Sequence, residues 1–268
     1  AQLKKGDFKP VYTELSIGNT DAKCFIEPLE IRLSDATVIY FQGRIDRVDI
    51  LKKGGRLYVN IIDYKSSFKT LDLSDVIQGL QLQLLVYMSA VVKNGEKLFK
   101  IPPEIGGVYY FRIDDPMIDG DQITEENREH EIFKQLSLKG YVVDDTDIIA
   151  GMDREILSDR KSDIIPVTFN KNGSASKSSK ILTMDEFKAL LDKTDEIAKN
   201  LTEKIIKGTI DIMPYRKDPE NKTPCSYCDY TGVCQFDQSM DGNNYRNIKK
   251  LKKDEILFEI LNKGGDDV

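Results

Sequence analysis

Two stretches near the start of the chain are rich in β-branched and aromatic residues. They are residues 37–50 (TVIYFQGRIDRVDI) and residues 56–65 (RLYVNIIDYK). Between them, residues 52–55 (KKGG) form a glycine-rich turn of the kind that closes a β-hairpin. The pattern therefore predicts a sheet that contains this hairpin. Further strands are expected at residues 8–18, 25–33 and 106–112.

The residues that follow the hairpin show the apolar spacing of α-helices. Apolar residues recur on one helical face at Val76, Leu80, Leu84 and Met88, which predicts a helix from Ser74 to about Val92, ended by Asn94-Gly95. A second helix is expected to begin at a capping box made by Thr183 and Glu186 and to end near Gly208. The glycine- and serine-rich residues 170–180 before it are expected to form a flexible loop. Strands and helices together indicate an α/β chain.

Three charged residues of the hairpin carry the candidate chemistry. Asp46 lies in the first strand, and Asp63 and Lys65 lie at the end of the second strand on one face, with Tyr64 on the other. Two carboxylates suit Mg²⁺, and the carbonyl of Tyr64 can add an oxygen ligand. Lys65 can orient water or offset charge in a transition state. The alternative for this pattern alone is a solvated hairpin with a surface ion pair.

The predicted helix adds two polar residues to this set. Gln83 and Tyr87 are four residues apart, so they lie on the same side of the helix. Taken alone, such a pair is typical of a solvated helix surface. Next to the hairpin, it becomes a candidate part of the same site.

Three cysteines near the end of the chain form a separate pattern. Cys225, Cys228 and Cys234 have C-x₂-C-x₅-C spacing, which is typical of metal ligands and leaves zinc and iron–sulfur open. A disulfide framework is not expected in a chain of this size and acidity that shows no signal peptide, so we expect a reducing cytoplasm. The spacing therefore predicts a metal centre.

Composition narrows the classes of function. The chain has 268 residues, 40% of them hydrophobic, which is enough for one sizeable core. It has no apolar run long enough to span a membrane and no G-x-x-x-x-G-K-[ST] motif for ATP. The net charge of −6 counts against a protein that simply coats nucleic acid. The only histidine, His130, lies in a charged segment and is expected at the surface, so catalysis by a histidine dyad or triad is not expected.

The order GRIDRVD, IIDYKSS, QLQLLVY resembles the RecB-type nucleases of the PD-(D/E)XK superfamily. With C-x₂-C-x₅-C after it, the chain resembles the iron-staple nucleases and, among them, the AddB family. The resemblance implies an α/β, restriction-endonuclease-like mixed β-sheet flanked by helices, with a C-terminal helical, Cys-rich extension. It implies a nuclease domain over residues 1–222 and a Cys-rich iron–sulfur segment with a C-terminal helix over residues 223–268, packed on the same domain.

The resemblance also implies roles for individual residues. Those implied to be catalytic are Asp46, Asp63, Lys65, Gln83 and Tyr87. Asp46, Asp63 and the Tyr64 carbonyl would hold Mg²⁺, for which Mn²⁺ or Ca²⁺ can substitute. Cys225, Cys228 and Cys234 would bind a [4Fe–4S] cluster whose fourth ligand comes from an earlier part of the family domain.

That earlier part is expected to be missing, because the chain starts without Met and its remaining cysteine follows a turn just before the hairpin. This residue, Cys24, lies too late in the chain for the missing ligand and is expected to be an ordinary thiol. Its recruitment as a substitute ligand is the alternative. We therefore expect that the cluster can be absent from this chain.

The function expected from the resemblance is metal-dependent hydrolysis of single DNA strands that an AddA-type helicase–nuclease subunit unwinds from double-strand ends for recombinational repair. One alternative is a catalytically silent module of the same complex that binds DNA or a partner. A second alternative is a zinc-binding interaction domain. Silent members usually lose an Asp or the Lys, and all three residues are present here.

Overall fold

A seven-stranded mixed sheet organises the computed structural model, which describes residues 2–113, 132, 135–218 and 222–262. The described strands are, in chain order, β1 (Lys9–Ile17), β2 (Phe25–Ile26), β3 (Leu29–Arg32), β4 (Val38–Phe41), β5 (Gly43–Lys53), β6 (Arg56–Lys65), β7 (Pro103–Arg112), β8 (Lys139–Val143), β9 (Ile181–Leu182), β10 (Tyr215–Asp218) and β11 (Arg246–Lys249). The order across the sheet is β2-β1-β5-β6-β7-β8-β9, so β6 is the central strand. Its middle residues are buried throughout, as expected for a strand covered on both faces.

Helices cover both faces of this sheet. The described helices are α1 (Gln2–Lys5), α2 (Leu73–Ile77), α3 (Gln83–Asn94), α4 (Glu96–Phe99), α5 (Thr146–Met152), α6 (Ile156–Asp159), α7 (Met184–Ile206), α8 (Thr231–Cys234) and α9 (Lys253–Asn262). Asn60 and Lys65 are an odd number of residues apart on β6, so their side chains leave opposite faces. Asn60 contacts Met152 of α5, and Lys65 contacts Gln83 of α3. The expected α/β sheet flanked by helices is confirmed.

The predicted hairpin is present with a two-residue turn. Lys53 pairs with Arg56, and Gly54 and Gly55 between them have φ angles of 59° and 78°. Two consecutive positive φ angles are those of the type I′ turn, which glycine adopts without steric cost. The stretch 37–50 is, however, interrupted at Gln42: β4 pairs with β3 in a separate small sheet, and only β5 joins the hairpin.

The single helix predicted from Ser74 to Val92 is wrong, because the chain forms two helices there. α2 ends at Ile77 and α3 begins at Gln83. Gly79 has a φ of 81°, a left-handed conformation that ends a helix and that glycine adopts readily. The cap of α2 is the side chain of Asp72, which accepts from the N–H of Ser74. The predicted end at Asn94-Gly95 is confirmed.

The long helix α7 matches its prediction. Thr183 and Glu186 form the expected capping box, and α7 ends two residues before Gly208. Ser89 and Lys93 of α3 both contact Asp195 of α7, so the two helices pack against each other on one side of the sheet. Among the described residues, no helix is long and apolar enough to cross a membrane.

The chain after α7 docks on α2. β10 and β11 form a parallel pair outside the main sheet. Lys217 of β10 places its Nζ 2.7 Å from both carboxylate oxygens of Asp75, which Gln81 also contacts. This ion pair joins the segment before the cysteines to helix α2.

Candidate active site

The open end of the hairpin brings the two candidate carboxylates together. The last regular pair of β5 and β6 is Arg47 with Ile62, and one more step of this register sets Asp46 opposite Asp63. Here the strands begin to separate, and the N–H of Tyr64 donates to Oδ2 of Asp46 at 2.8 Å. Asp63 is almost fully buried, whereas Asp46 is half-buried. The pair therefore has one buried and one partly solvated carboxylate.

A chain of polar contacts leads from Asp63 to helix α3. Nζ of Lys65 lies 2.5 Å from Oδ2 of Asp63 and donates to Oε1 of Gln83 at 3.2 Å. Nε2 of Gln83 in turn donates to the hydroxyl of Tyr87 at 3.3 Å. The break between α2 and α3 makes this possible, because α3 starts at Gln83 and presents its first turn to the end of β6. All five residues predicted to be catalytic thus lie at one end of the hairpin.

The electrostatics of Asp63 reflect its burial. Burial raises the pKa of Asp63 and the nearby charge of Asp46 raises it further, while Lys65 and Lys69 act in the opposite direction. Oδ2 of Asp63 is buried and lies 2.5 Å from the Lys65 ammonium, and it accepts no other hydrogen bond from the described residues. A carboxylate oxygen that is buried without a donor is costly unless a cation neutralises it.

This donor set fits a hard divalent cation. Asp46 and Asp63 supply carboxylate oxygens, and apart from its ion pair with Lys65 the buried Oδ2 of Asp63 has no hydrogen-bond partner among the described residues. Members of the PD-(D/E)XK nucleases generally use divalent metal ions. Tyr64 contributes its N–H to Asp46, and the ligand role of its carbonyl stays a prediction.

Sequence reasoning missed two residues beside this centre. Tyr110 pairs with Asp63 across β6 and β7, and burial together with the charge of Asp63 raises the pKa of Tyr110 to about 12. Lys69 lies over the ring of Tyr110, 4.8 Å from its centroid, and burial and the charge of Lys65 lower its pKa. No local sequence pattern indicates a functional role for either residue. Tyr110 lies in an apolar strand segment typical of a core, and Lys69 lies in a loop.

Gly43 at the start of β5 makes room for Tyr87. A Cβ at position 43 would lie 2.9 Å from Cε1 of the Tyr87 ring and 3.2 Å from its hydroxyl oxygen. These distances are too short for an unshifted ring. The glycine of the GRID sequence thus allows the aromatic ring of α3 to lie directly on the strand that carries Asp46.

The second aspartate of GRIDRVD has a different environment. Asp49 is almost fully buried and accepts two hydrogen bonds from Arg47, at 2.7 Å from Nε and 2.5 Å from one terminal nitrogen. Because Asp46 and Asp49 are three residues apart, their side chains leave opposite faces of β5. Asp49 is therefore a buried, paired carboxylate on the face away from Asp63.

The cysteines do not assemble in this structure. Cys225 is half-buried, and Cys228 and Cys234 are exposed. Within the described ranges, no three His, Cys, Asp or Glu side chains lie close enough together to hold a metal ion. Cys24 packs partly buried against the main core beside β2 and joins no such group. The cluster ligands predicted from the spacing thus stay a prediction, and no step of chemistry is assigned to them.

A cavity of about 730 Å³ lies at the other end of the same strands. Arg56 at the start of β6 and Pro103 at the start of β7 line it, whereas the candidate centre lies at the ends of both strands. Its wall carries Lys93 and Lys188 beside Glu104 and Asp144, without a group of like charge. We therefore keep the carboxylate pair as the candidate site.

The chain matches a known protein family and is similar to several curated proteins. A profile of the family described as "PD-(D/E)XK nuclease superfamily" matches residues 1–235. Three similar curated proteins are each named as a subunit of an "ATP-dependent helicase/deoxyribonuclease". They come from Alkaliphilus metalliredigens (44% identity over 96% of this chain), Thermoanaerobacter sp. strain X514 (42% over 99%) and Clostridium tetani (43% over 96%). The chain spans only 22–23% of the length of these relatives.

Proposed function

We propose, because the chain belongs to the PD-(D/E)XK nuclease superfamily, that it is a metal-dependent deoxyribonuclease that hydrolyses phosphodiester bonds of DNA. The observation that carries this proposal is the continuous set of contacts from Asp63 through Lys65 and Gln83 to Tyr87, with Asp46 beside it. In a solvated hairpin with an incidental ion pair both partners would be exposed, whereas Asp63 is almost fully buried.

Asp46 and Asp63 would hold Mg²⁺, with help from the Tyr64 carbonyl. A cation held there would lower the pKa of bound water and polarise a phosphoryl oxygen. Lys65 orients the attacking water and offsets negative charge that develops on the phosphoryl group. Gln83 accepts a hydrogen bond from Lys65 and so fixes the ammonium, and Tyr87 fixes the amide of Gln83. Fixed donors of this kind need no reorganisation during the reaction.

The names of the relatives support a wider setting. They are called subunits of an ATP-dependent helicase/deoxyribonuclease. We propose that the substrate is a single DNA strand unwound by an AddA-type partner in the cytoplasm, and that the cleavage processes double-strand ends for recombinational repair. Because the sequence has no G-x-x-x-x-G-K-[ST] motif, ATP would act elsewhere in the complex. Cys225, Cys228 and Cys234 would hold a [4Fe–4S] cluster in the longer protein.

The test is cleavage of a labelled single-stranded oligonucleotide by the purified chain in Mg²⁺ or Mn²⁺. Asp63→Asn and Asp46→Asn should each lower the rate by roughly a thousandfold or more, because several kcal/mol of transition-state stabilisation depend on the ligands. The exposed Asp21→Asn is the matched control and should cleave like the unchanged chain. Full activity of Asp63→Asn would contradict the assignment. If the unchanged chain binds the oligonucleotide but does not cleave it, the silent binding module is correct instead.

A further inference from the structure

A row of side chains crosses the sheet from the candidate centre. Asp63 of β6 pairs with Tyr110 of β7, and Tyr110 pairs with Lys139 of β8. Directly paired residues point to the same face of a sheet, so all three lie on the face of Asp63. Since neighbouring strands are about 4.8 Å apart, the Lys139 backbone lies about 10 Å from that of Asp63. The row therefore runs sideways from the carboxylates toward the edge of the sheet.

The two lysines on this row have neutral partners. Nζ of Lys139 donates to the hydroxyl of Ser137 at 2.5 Å, and Nζ of Lys69 lies over the ring of Tyr110. Within the described part of the chain, neither ammonium forms a salt bridge with a carboxylate. Other lysines do so, for example Lys93 with Asp195 and Lys217 with Asp75.

Both ammonium groups are also partly buried. Burial lowers the pKa of Lys69 and of Lys139, which indicates that each cation has lost part of its hydration. For Lys139 burial is the cause, whereas the charges of Asp63 and Asp75 partly offset the burial of Lys69. A partly dehydrated cation is stabilised when an anion binds to it. The row is therefore a place where a bound anion gains more than at an ordinary surface lysine.

An open groove continues the row beyond Lys139. Its volume is about 230 Å³, and the polar side chains along it include Ser137, Lys139, Lys161, Asp163, Thr168 and Ser178. The hydroxyl and ammonium donors of this set are typical of contacts to phosphate oxygens, and Asp163 is the carboxylate beside them. The groove opens at the same end of the sheet as Asp63, because β8 runs antiparallel to β7 and starts where β7 ends.

We propose that Lys69 and Lys139 form a phosphate track, which guides one DNA strand from the carboxylates across β7 and β8 into this groove. The inference rests on the proposed function and adds where the strand lies outside the cleaved bond. The track would contact the phosphates of the single strand that the proposed function takes as substrate. It also supplies local positive charge on a chain whose net charge is −6.

The test measures binding separately from cleavage. Binding of a fluorescein-labelled single-stranded oligonucleotide is followed by anisotropy in EDTA, over a series of KCl concentrations. Lys69→Met and Lys139→Met should each weaken binding several-fold, and each should reduce the slope of log K against log[salt] by about 0.7, the value for one lost phosphate contact on a single strand. Lys139→Arg keeps the charge and should retain the slope. The exposed Lys188→Met, which lines the cavity at the other end of the strands, is the matched control.

The outcomes separate the track from the nuclease proposal. An unchanged slope in Lys69→Met and Lys139→Met, or no binding by the unchanged chain, would overturn the track. If cleavage requires Asp63 but the slope does not change, only the track fails. If the slope falls as expected in a chain that does not cleave DNA, the track stands and the nuclease proposal fails.

Discussion

Two aspartates of strand β5 have the same chemistry and opposite surroundings. Asp46 is half-buried, accepts one backbone N–H and faces a second carboxylate. Asp49, three residues later, is almost fully buried and is held by both sides of the Arg47 guanidinium. The sequence GRIDRVD contains both, and the alternation of the strand alone sends them to different faces.

The difference shows how a carboxylate remains available to bind a cation. The Arg47 guanidinium donates to both carboxylate oxygens of Asp49 and neutralises its charge. Asp63 pairs with the ammonium of Lys65, and its Oδ2 accepts no regular hydrogen bond from the described residues. Asp46 accepts the N–H of Tyr64. A buried carboxylate that is fully paired supports the fold, whereas an underpaired one is kept at a cost to stability and is typical of functional sites.

Removal of the paired aspartate should have the largest effect on stability. Asp49→Ala leaves Arg47 buried without its partner and should lower the free energy of unfolding by about 3–5 kcal/mol. Asp46→Ala removes one backbone hydrogen bond at a half-buried position and should cost only about 1 kcal/mol. Urea denaturation measures both. Equal losses would break the distinction between the two aspartates, and the double variant Arg47→Leu/Asp49→Leu should recover much of the stability.

The raised pKa of Asp63 should make the stability of the chain depend on pH. Because the pKa of Asp63 is raised in the folded protein, the folded state holds its proton more tightly than the unfolded chain does. Stability is then lost as the pH rises from the usual pKa of 3.8 through the raised one, by about 1.4 kcal/mol for each pH unit that separates the two pKa values. Asp63→Asn should remove this loss, as urea denaturation in EDTA at several pH values would measure.

Added Mg²⁺ should raise the stability of the unchanged chain relative to that of the Asp63→Asn variant. Mg²⁺ at a hundred times its dissociation constant should stabilise the unchanged chain by about 2.7 kcal/mol and leave Asp63→Asn unaffected. Equal stabilisation of both would contradict a cation site at Asp63.

The smallest effect concerns the neighbour of Asp46 on strand β1. Glu14 lies between the paired positions Thr13 and Leu15, opposite Asp46, and has a φ of 55°. Its exposed contact with Arg44, at 3.6 Å, contributes little. Glu14→Gly should therefore raise the free energy of unfolding by about 1 kcal/mol through relief of backbone strain. Glu14→Ala keeps the backbone strain and is the control. Thermal unfolding measures the stability of both variants. An equal gain in stability would mean that the effect comes from loss of the Glu14 side chain.

Local patterns predicted the parts of the fold that depend on near neighbours in sequence. The turn at Gly54-Gly55 and the capping box at Thr183 and Glu186 were confirmed because each is determined within four residues. The single helix after the hairpin was wrong because the apolar spacing continues through Gly79, while the backbone of that glycine is left-handed. Apolar periodicity records which side is buried and does not record a break between two helices that share that side.

The candidate site likewise contains residues that near neighbours in sequence predict and residues that only long-range strand pairing brings in. Asp46, Asp63 and Lys65 lie on one hairpin and could be grouped from the sequence. Tyr110 and Lys139 join them only through the register of β7 and β8, and pairings between distant strands leave no local trace in a single sequence. The resemblance to a known family supplied Gln83 and Tyr87, which helical spacing alone assigns to a solvated surface.

The two-glycine turn also bears on the order in which the chain assembles. It closes a loop of 17 residues between Asp46 and Asp63, whereas the contact of Asp63 with Tyr110 closes one of 47. Short loops close at a lower entropic cost, and hairpins form within about 1–10 μs. The carboxylate pair is therefore specified by the most local segment of the sheet, and the lysine of β8 joins it through slower, long-range pairing. The kinetics of folding thus depend on a turn at the far end of the strands from the chemistry.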